Sequence, residues 1–282
     1  MPMQIERGLV NTARGYLHYR AAGATAAASA SGIAGSEAIF LLHMNQQSSS
    51  VYLELMAELG PHLRVVAMDY PSHGDSDHVE QQPTIADYAR CVIEVADALG
   101  IKQFSALGEA AGAAVSIELA VNHASRIDRI VLLNCPYYQD RGAADARHGP
   151  LKSGLRPEDS SGFPVTRTIA FLLTNDAGHA PMHPTQSWMD RINVAQIEAG
   201  RHRWQALDAL HQYDIGANLQ RVACPALLLI GEHFHYLKYR DVFHQRNPRL
   251  RSEVIPGARL CMGWERAVDV GRHTLAFLRG MP

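Results

Sequence analysis

The stretch Leu107-Gly108-Glu109-Ala110-Ala111-Gly112 constrains this chain more than any other. An apolar run, Phe104 to Leu107, precedes it, and an Ala-rich run, Ala113 to Val121, follows with the composition of a helix. Strand, tight small-residue turn and helix is the setting in which the pattern G-x-S-x-G carries an exposed nucleophile. Gly108 and Gly112 suit a sharply bent backbone that tolerates no bulk beside it. The central residue, however, is Ala110, and a methyl group cannot attack a carbonyl. The pattern predicts a fold and leaves the chemistry open.

The rest of the chain agrees with that fold. Residues 4–20 read as a β-hairpin turning at Asn11 to Gly15, with Leu17 and Tyr19 on one face and Tyr16, His18 and Arg20 on the other. Residues 21–36 are small and of low complexity, as in a loop or local insertion. Ala38 to His43, Leu63 to Met68, Phe104 to Leu107 and Ile127 to Leu133 are short, nearly continuous apolar runs, as strands buried on both faces require. Helical spacing lies between them, at Ser48 to Leu59 and from the N-cap Thr84, with Asp87 in the capping-box position, through Leu99. From Pro136 to about Ala217 the alternation breaks down, although helical patterns remain near Gln186–Gly200 and Arg203–His211. Strand and helix then resume at Ala226–Ile230, Tyr239–Gln245, Ser252–Ile255 and Ala267–Leu278. The expected organisation is a core of residues 1–135 and 218–282 with a cap inserted at 136–217. Alternating buried strands and helices predict a mostly parallel sheet covered on both faces. Ligands then sit at the carboxyl ends of the strands, here His43, Asp69, Glu109, Asn134, Gly231 and Pro256.

Composition narrows the function classes. A net charge of -2 with no Lys/Arg run gives no footprint for nucleic acid or a membrane surface. No stretch of about 18 apolar residues predicts a membrane span, and the first residues carry no signal-peptide h-region. The four cysteines have no C-x-x-C spacing and read as buried thiols of a reducing cytosol. A cytoplasmic protein with a small-molecule ligand or substrate, no cofactor and no metal is expected; a homodimer is left open.

Five segments in order resemble the α/β-hydrolase-fold superfamily. LLHMNQQ is similar to the family's oxyanion loop, VVAMDYPSHGDSD to its D-x-P-x-H-G-x-S-D loop, and ALGEAAGAA to its nucleophile elbow. CPALLLIGEHFHYL is similar to the strand that delivers the acid, and VIPGARLCMGWERAVDVGRHTLAFL to the last strand and helix, which deliver the histidine. The resemblance implies a parallel-sheet core with an inserted helical cap. Carried over position by position, it places Ala110 at the nucleophile, Phe234 at the acid and Leu260 at the base, and puts the backbone N–H groups of Asn45 and Ala111 at the oxyanion site. A Ser-His-Asp machine needs all three side chains; here an apolar wall stands instead.

Several titratable groups remain near the expected site. Glu109 precedes the turn: either it caps and packs a helix start or burial makes it an acid or base. His43 ends a strand, as a brace for its loop or as a participant in chemistry. His233 and His235 form H-x-H, whose members face one side on an extended segment, as polar loop residues, a base or metal ligands. His179 and His183 have i,i+4 spacing, but Pro181 between them argues against a regular helix. Cys135 and Cys261 read as structural, and Ser48 to Ser50 as helix caps. Three functions follow. The first is a non-hydrolytic acid/base enzyme (lyase, isomerase, cyclase or decarboxylase) on a small apolar carbonyl compound. The second is a catalytically inactive protein that binds a ligand or partner, and the third a hydrolase with substitute residues. The several histidines under a cap favour the first.

Overall fold

The computed structural model describes residues 4–23, 38–138, 142 and 185–281. Its eight strands are β1 Glu6–Thr12, β2 Gly15–Ala22, β3 Ala38–Leu42, β4 Arg64–Met68, β5 Phe104–Glu109, β6 Ile127–Leu133, β7 Ala226–Gly231 and β8 Arg251–Ile255. They form one sheet in the order β1-β2-β4-β3-β5-β6-β7-β8. β1 pairs with β2, and β2 with β4, antiparallel; every pair from β4 through β3 to β8 is parallel. The sheet is therefore mostly parallel, with a hairpin at one edge, as the alternation of buried runs predicts. The α/β-hydrolase fold expected from the resemblance is the fold observed.

The side-chain period of two divides the sheet into two cores. Ile39, Leu41, Val65, Ala67, Leu107, Val131, Leu133, Leu227 and Leu229 face one side. They pack on α1 Leu53–Leu59, which a short 3-10 turn at Ser49–Tyr52 introduces, and on the terminal helix α9 Ala267–Leu278. The intervening residues, among them Phe40, Leu42, Val66, Met68, Ala106, Ile130, Leu132, Leu228 and Ile230, face α2 Ile85–Ala98 and α3 Ala111–Asn122 on the other side. Thr84 and Asp87 form the expected capping box of α2. α3 is buried from Ala111 to Ala120, which explains its small, nearly all-apolar composition. Between β6 and β7 the described residues form α4 Gln186–Ala199, α5 Gln205–His211 and α6 Ile215–Arg221. α7 Arg240–Arg246 follows β7, and a single turn, α8 Met262–Glu265, precedes α9. The low-complexity stretch near 24–36, the apolar run Ile169–Leu173 and the His179/His183 pair lie outside the described residues.

The glycines of the elbow are required by contact. A Cβ on Gly112 would lie 1.9 Å from the Leu42 carbonyl oxygen, and one on Gly108 2.1 Å from the backbone of Gly112. β3, β5 and α3 thus touch backbone to backbone, where only hydrogen fits. Gly112→Ala is expected to destabilise by more than about 3 kcal/mol, because the obstructing atoms are backbone and cannot rotate away. Gly100→Ala is the control. It meets nothing within 4 Å and has φ +68, so only the left-handed strain of about 1–2 kcal/mol remains. Thermal unfolding of both variants checks the order; equal losses would refute the contact argument.

Candidate functional site

β5 delivers its carboxyl end to a sharp turn at Ala110, whose φ of 51° and ψ of −107° lie where side chains are rarely found. The Ala110 N–H donates to the Leu133 carbonyl at 3.1 Å, and α3 starts at the next residue. This is elbow geometry, with a methyl group at the apex. As the first helical residue, Ala111 has no carbonyl one turn back to take its N–H. Asn45 lies half-buried in the turn that follows β3, next to Gln46 at φ 63°.

Glu109 is 1% exposed, and its carboxylate turns toward the sheet end and the loop after β8. Oε1 accepts from Asn134 Nδ2 at 3.1 Å and the Met262 N–H at 3.0 Å, and Oε2 accepts from the Gly263 N–H at 3.4 Å. It therefore caps α8, and none of these partners is a histidine. Asn134, just past β6 with φ 43°, makes the junction wider. Its Oδ1 accepts from the Gly231 N–H at 3.0 Å, and its Nδ2 also donates to the Arg259 carbonyl at 2.6 Å. The ends of β5, β6 and β7 and the loop after β8 are tied at one buried point. Burial dominates at Glu109 and pushes its carboxyl pKa up, while the donors from Met262, Asn134 and Gly263 act the other way.

His43 is fully buried and its ring is committed at both nitrogens. Nε2 accepts the Tyr70 N–H at 3.1 Å, so Nδ1 carries the proton and donates to the Met44 carbonyl at 2.7 Å. Burial lowers its pKa and keeps it neutral. The ring packs 4.2 Å from Tyr70. This is the bracing geometry. His233 and His235 depart from the extended segment that the H-x-H pattern assumes. Turns run from Gly231 to Leu237, with the Phe234 N–H on the Gly231 carbonyl and the Leu237 N–H on the Phe234 carbonyl. His233 lies 4.0 Å from Glu232, and His235 packs against Phe234 and Tyr236 at 4.7 and 4.0 Å.

Among the described residues, an apolar cluster packs at Ala110. Met44, Ala110, Trp188, Ile192 and Cys261 form one buried cluster, with Met189, Leu260 and Trp264 packed on it. Trp188, on α4, is stacked on Trp264 at 4.3 Å and 22°. The Cys261 thiol donates to Met44 Sδ at 3.8 Å, and burial pushes its pKa well up. Leu260 sits in the loop after β8, and Phe234, 5% exposed, follows β7 and packs 5.5 Å from Tyr236. Neither side chain can take or give a proton. Ala110 keeps 9% exposure at the base of this cluster.

A second polar group, unread in the sequence, lies at the ends of β2 and β4. His18 Nδ1 donates to Asp69 Oδ2 at 2.8 Å, and Asp69 also accepts the backbone N–H groups of Ser49 and Asp75. His18, Asp69 and Asp75 offer ligand atoms within 4.8 Å of one another. However, Arg7 Nε donates to His18 Nε2 at 3.2 Å, its terminal nitrogen pairs with Asp75, and Arg20 stands 3.8 Å from the same carboxylate. A guanidinium holds the place a cation would take. The alternating pattern assigned His18 only to a hairpin face; pairing of β2 with β4 brings it to Asp69, 51 residues away.

The model of the "Alpha/beta hydrolase family" matches residues 34–271. The chain belongs to the alpha/beta hydrolase family. Within that family it is 25% identical over 232 residues to "Putative carbamate hydrolase RutD" of Agrobacterium fabrum, covering 81% of this chain and 82% of that protein. The protein of the same name from Caulobacter sp. (strain K31) is 32% identical over 200 residues, covering 64% and 67%. Among solved structures, the enol-lactonase from Burkholderia xenovorans LB400 matches with a TM-score of 0.75 at 19% identity, covering 96% of this chain and 99% of that one. At that identity the likeness is one of fold. No helix among the described residues is long and apolar enough to cross a membrane.

The direction of the Glu109 shift makes a pH prediction. A raised folded-state pKa means that the protonated carboxyl favours the folded state. Its contribution is fully present below the unfolded value near 4.5 and is lost as pH rises through the folded value. Glu109→Gln cannot ionise, so the stability of the wild type relative to this variant is expected to fall as pH rises above 4.5. Urea unfolding of both proteins at several pH values measures it. A relative stability that grew with pH would mean that the three donors hold the carboxylate ionised.

Proposed function

We propose that this alpha/beta hydrolase-family protein lacks the Ser-His-Asp triad and binds a small, mostly apolar carbonyl compound above Ala110 without hydrolysing esters through a covalent acyl intermediate. The observation that carries the reading is the apolar cluster at the elbow: among the described residues, Met44, Ile192, Leu260, Cys261 and the Trp188–Trp264 stack pack with the Ala110 methyl group. In an acyl-transferring site these positions need a nucleophile, a base within hydrogen-bond reach and an orienting acid. The commitment of Glu109 and His43 to backbone and amide partners supports binding over acid/base turnover, because neither has a free atom aimed at a common reacting point.

One observation favours a second reading, an acid/base enzyme such as a lyase or isomerase: Glu109 is a carboxyl with a pKa raised by burial, directly before the elbow. Glu109→Gln separates the two. Under the binding reading the variant and the wild type both return a bound carbonyl compound unchanged, as read by mass spectrometry of the recovered ligand. Conversion by the wild type that disappears in the variant would establish Glu109 as acid or base.

The names of the relatives keep hydrolysis by substitute groups in view, and one assay tests it. Ala110→Ser is expected to leave release of nitrophenol from p-nitrophenyl acetate within about 10-fold of the wild-type background, because one restored member of a triad does little without the others. Vigorous turnover by the variant would show that a base stands ready. Turnover by the wild type would overturn the binding reading itself.

A further inference from the structure

β8 ends the sheet on one side, and no strand among the described residues pairs with its outer edge. Such an edge is a template for another strand unless something covers it. The register decides which groups it offers. The Ile255 carbonyl accepts the Glu232 N–H, so the backbone groups of Ile255 face β7. Successive residues of a strand present their backbone groups to opposite sides, and Ser252 and Val254 therefore turn theirs outward. Ser252 is held from the side. Arg240, at the start of α7, donates through Nε to Ser252 Oγ at 2.8 Å and through Nη2 to the Ser252 carbonyl at 3.1 Å. His244, one turn further along α7, meets the same hydroxyl at 2.8 Å. The guanidinium thus clasps one residue of the edge and occupies the carbonyl that a neighbouring strand needs.

We propose that the β8 edge is a self-complementary surface for a second copy of this chain and that Arg240 keeps it closed. Arg251 and Glu253 are both exposed and flank Ser252. They lie on the α9 face of the sheet, where a groove of about 250 Å³ floored by Leu227 and Phe277 opens beside them. In an antiparallel pairing about a two-fold axis at Ser252, the two Ser252 residues exchange N–H···O bonds. Each Arg251 then stands opposite Glu253 of the second copy, so the same opposite-charge pair forms twice. An axis one residue further on sets the two Glu253 carboxylates against each other, which disfavours that register. The favoured pairing uses the Ser252 carbonyl that Arg240 holds. Clasp and second copy therefore exclude each other.

Light scattering of the full chain across a concentration series tests this. Arg240→Ala is expected to self-associate at least about 10-fold more tightly than the wild type, the worth of freeing a carbonyl from a charged donor. Adding Glu253→Arg to Arg240→Ala sets arginine against arginine and should return association to the wild-type level. Adding Arg251→Glu as well swaps the two charges and should restore it. Arg240→Lys keeps the charge but cannot clasp hydroxyl and carbonyl together, and it takes the place of Arg240→Ala if that variant does not fold. Association of the released variant no tighter than that of the wild type overturns the proposal. Association indifferent to Glu253→Arg, or a charge swap that fails to restore it, overturns the pairing about Ser252. A wild type that already associates through an edge sensitive to Glu253→Arg overturns the role of Arg240, because the clasp then holds nothing closed.

Discussion

Glu109 cannot leave the end of the sheet without uncovering three donors at once: the Asn134 amide and the N–H groups of Met262 and Gly263. Asn134 in turn holds Gly231 and Arg259. This buried junction fixes the carboxyl ends of three neighbouring strands and the loop that carries Leu260 and Cys261. Its low-dielectric setting strengthens each hydrogen bond and makes each loss expensive. The elbow depends on it from one side and on the Gly112–Leu42 contact from the other. Between them Ala110 is held in a backbone conformation that costs of order 1–3 kcal/mol, which only an over-determined surrounding can maintain. The fold has kept the strained turn of a nucleophile while its apex has become a methyl group.

The order of elements was legible because parallel strands buried on both faces and amphipathic helices leave different patterns, and because the elbow glycines are imposed by backbone contact. The capping box at Thr84 and Asp87 was equally plain, since both partners lie three residues apart. What the pattern could not carry is long-range pairing. His18 reads as one face of a hairpin until β2 pairs with β4 and sets it against Asp69. Asn134 reads as a strand end until the register of β5, β6 and β7 places it between Glu109 and Gly231. The two-residue spacing of His233 and His235 places them on one face only in extended chain, and tight turns after Gly231 replace that conformation. Trp188 gave no signal beyond being a large residue in a helical pattern. Its meaning comes from the stack on Trp264, 76 positions away in sequence.

Several charged groups among the described residues pair with one another away from the elbow. Arg7, Arg20, His18, Asp69 and Asp75 satisfy one another at the ends of β2 and β4, and Arg191 of α4 is occupied by the Ser50 carbonyl and Glu54. Among the described residues, an apolar cluster packs at Ala110. That division limits chemistry in a definite way. A reaction that builds negative charge on a carbonyl oxygen could draw on the Ala111 N–H, but among the described residues Glu109 and His43, the titratable groups beside the elbow, are each held by other partners. Donors without a base polarise and select a carbonyl; they do not by themselves turn it over. On the binding reading proposed above, groups that would stabilise a transition state in a complete site act instead on the ground state of a bound carbonyl.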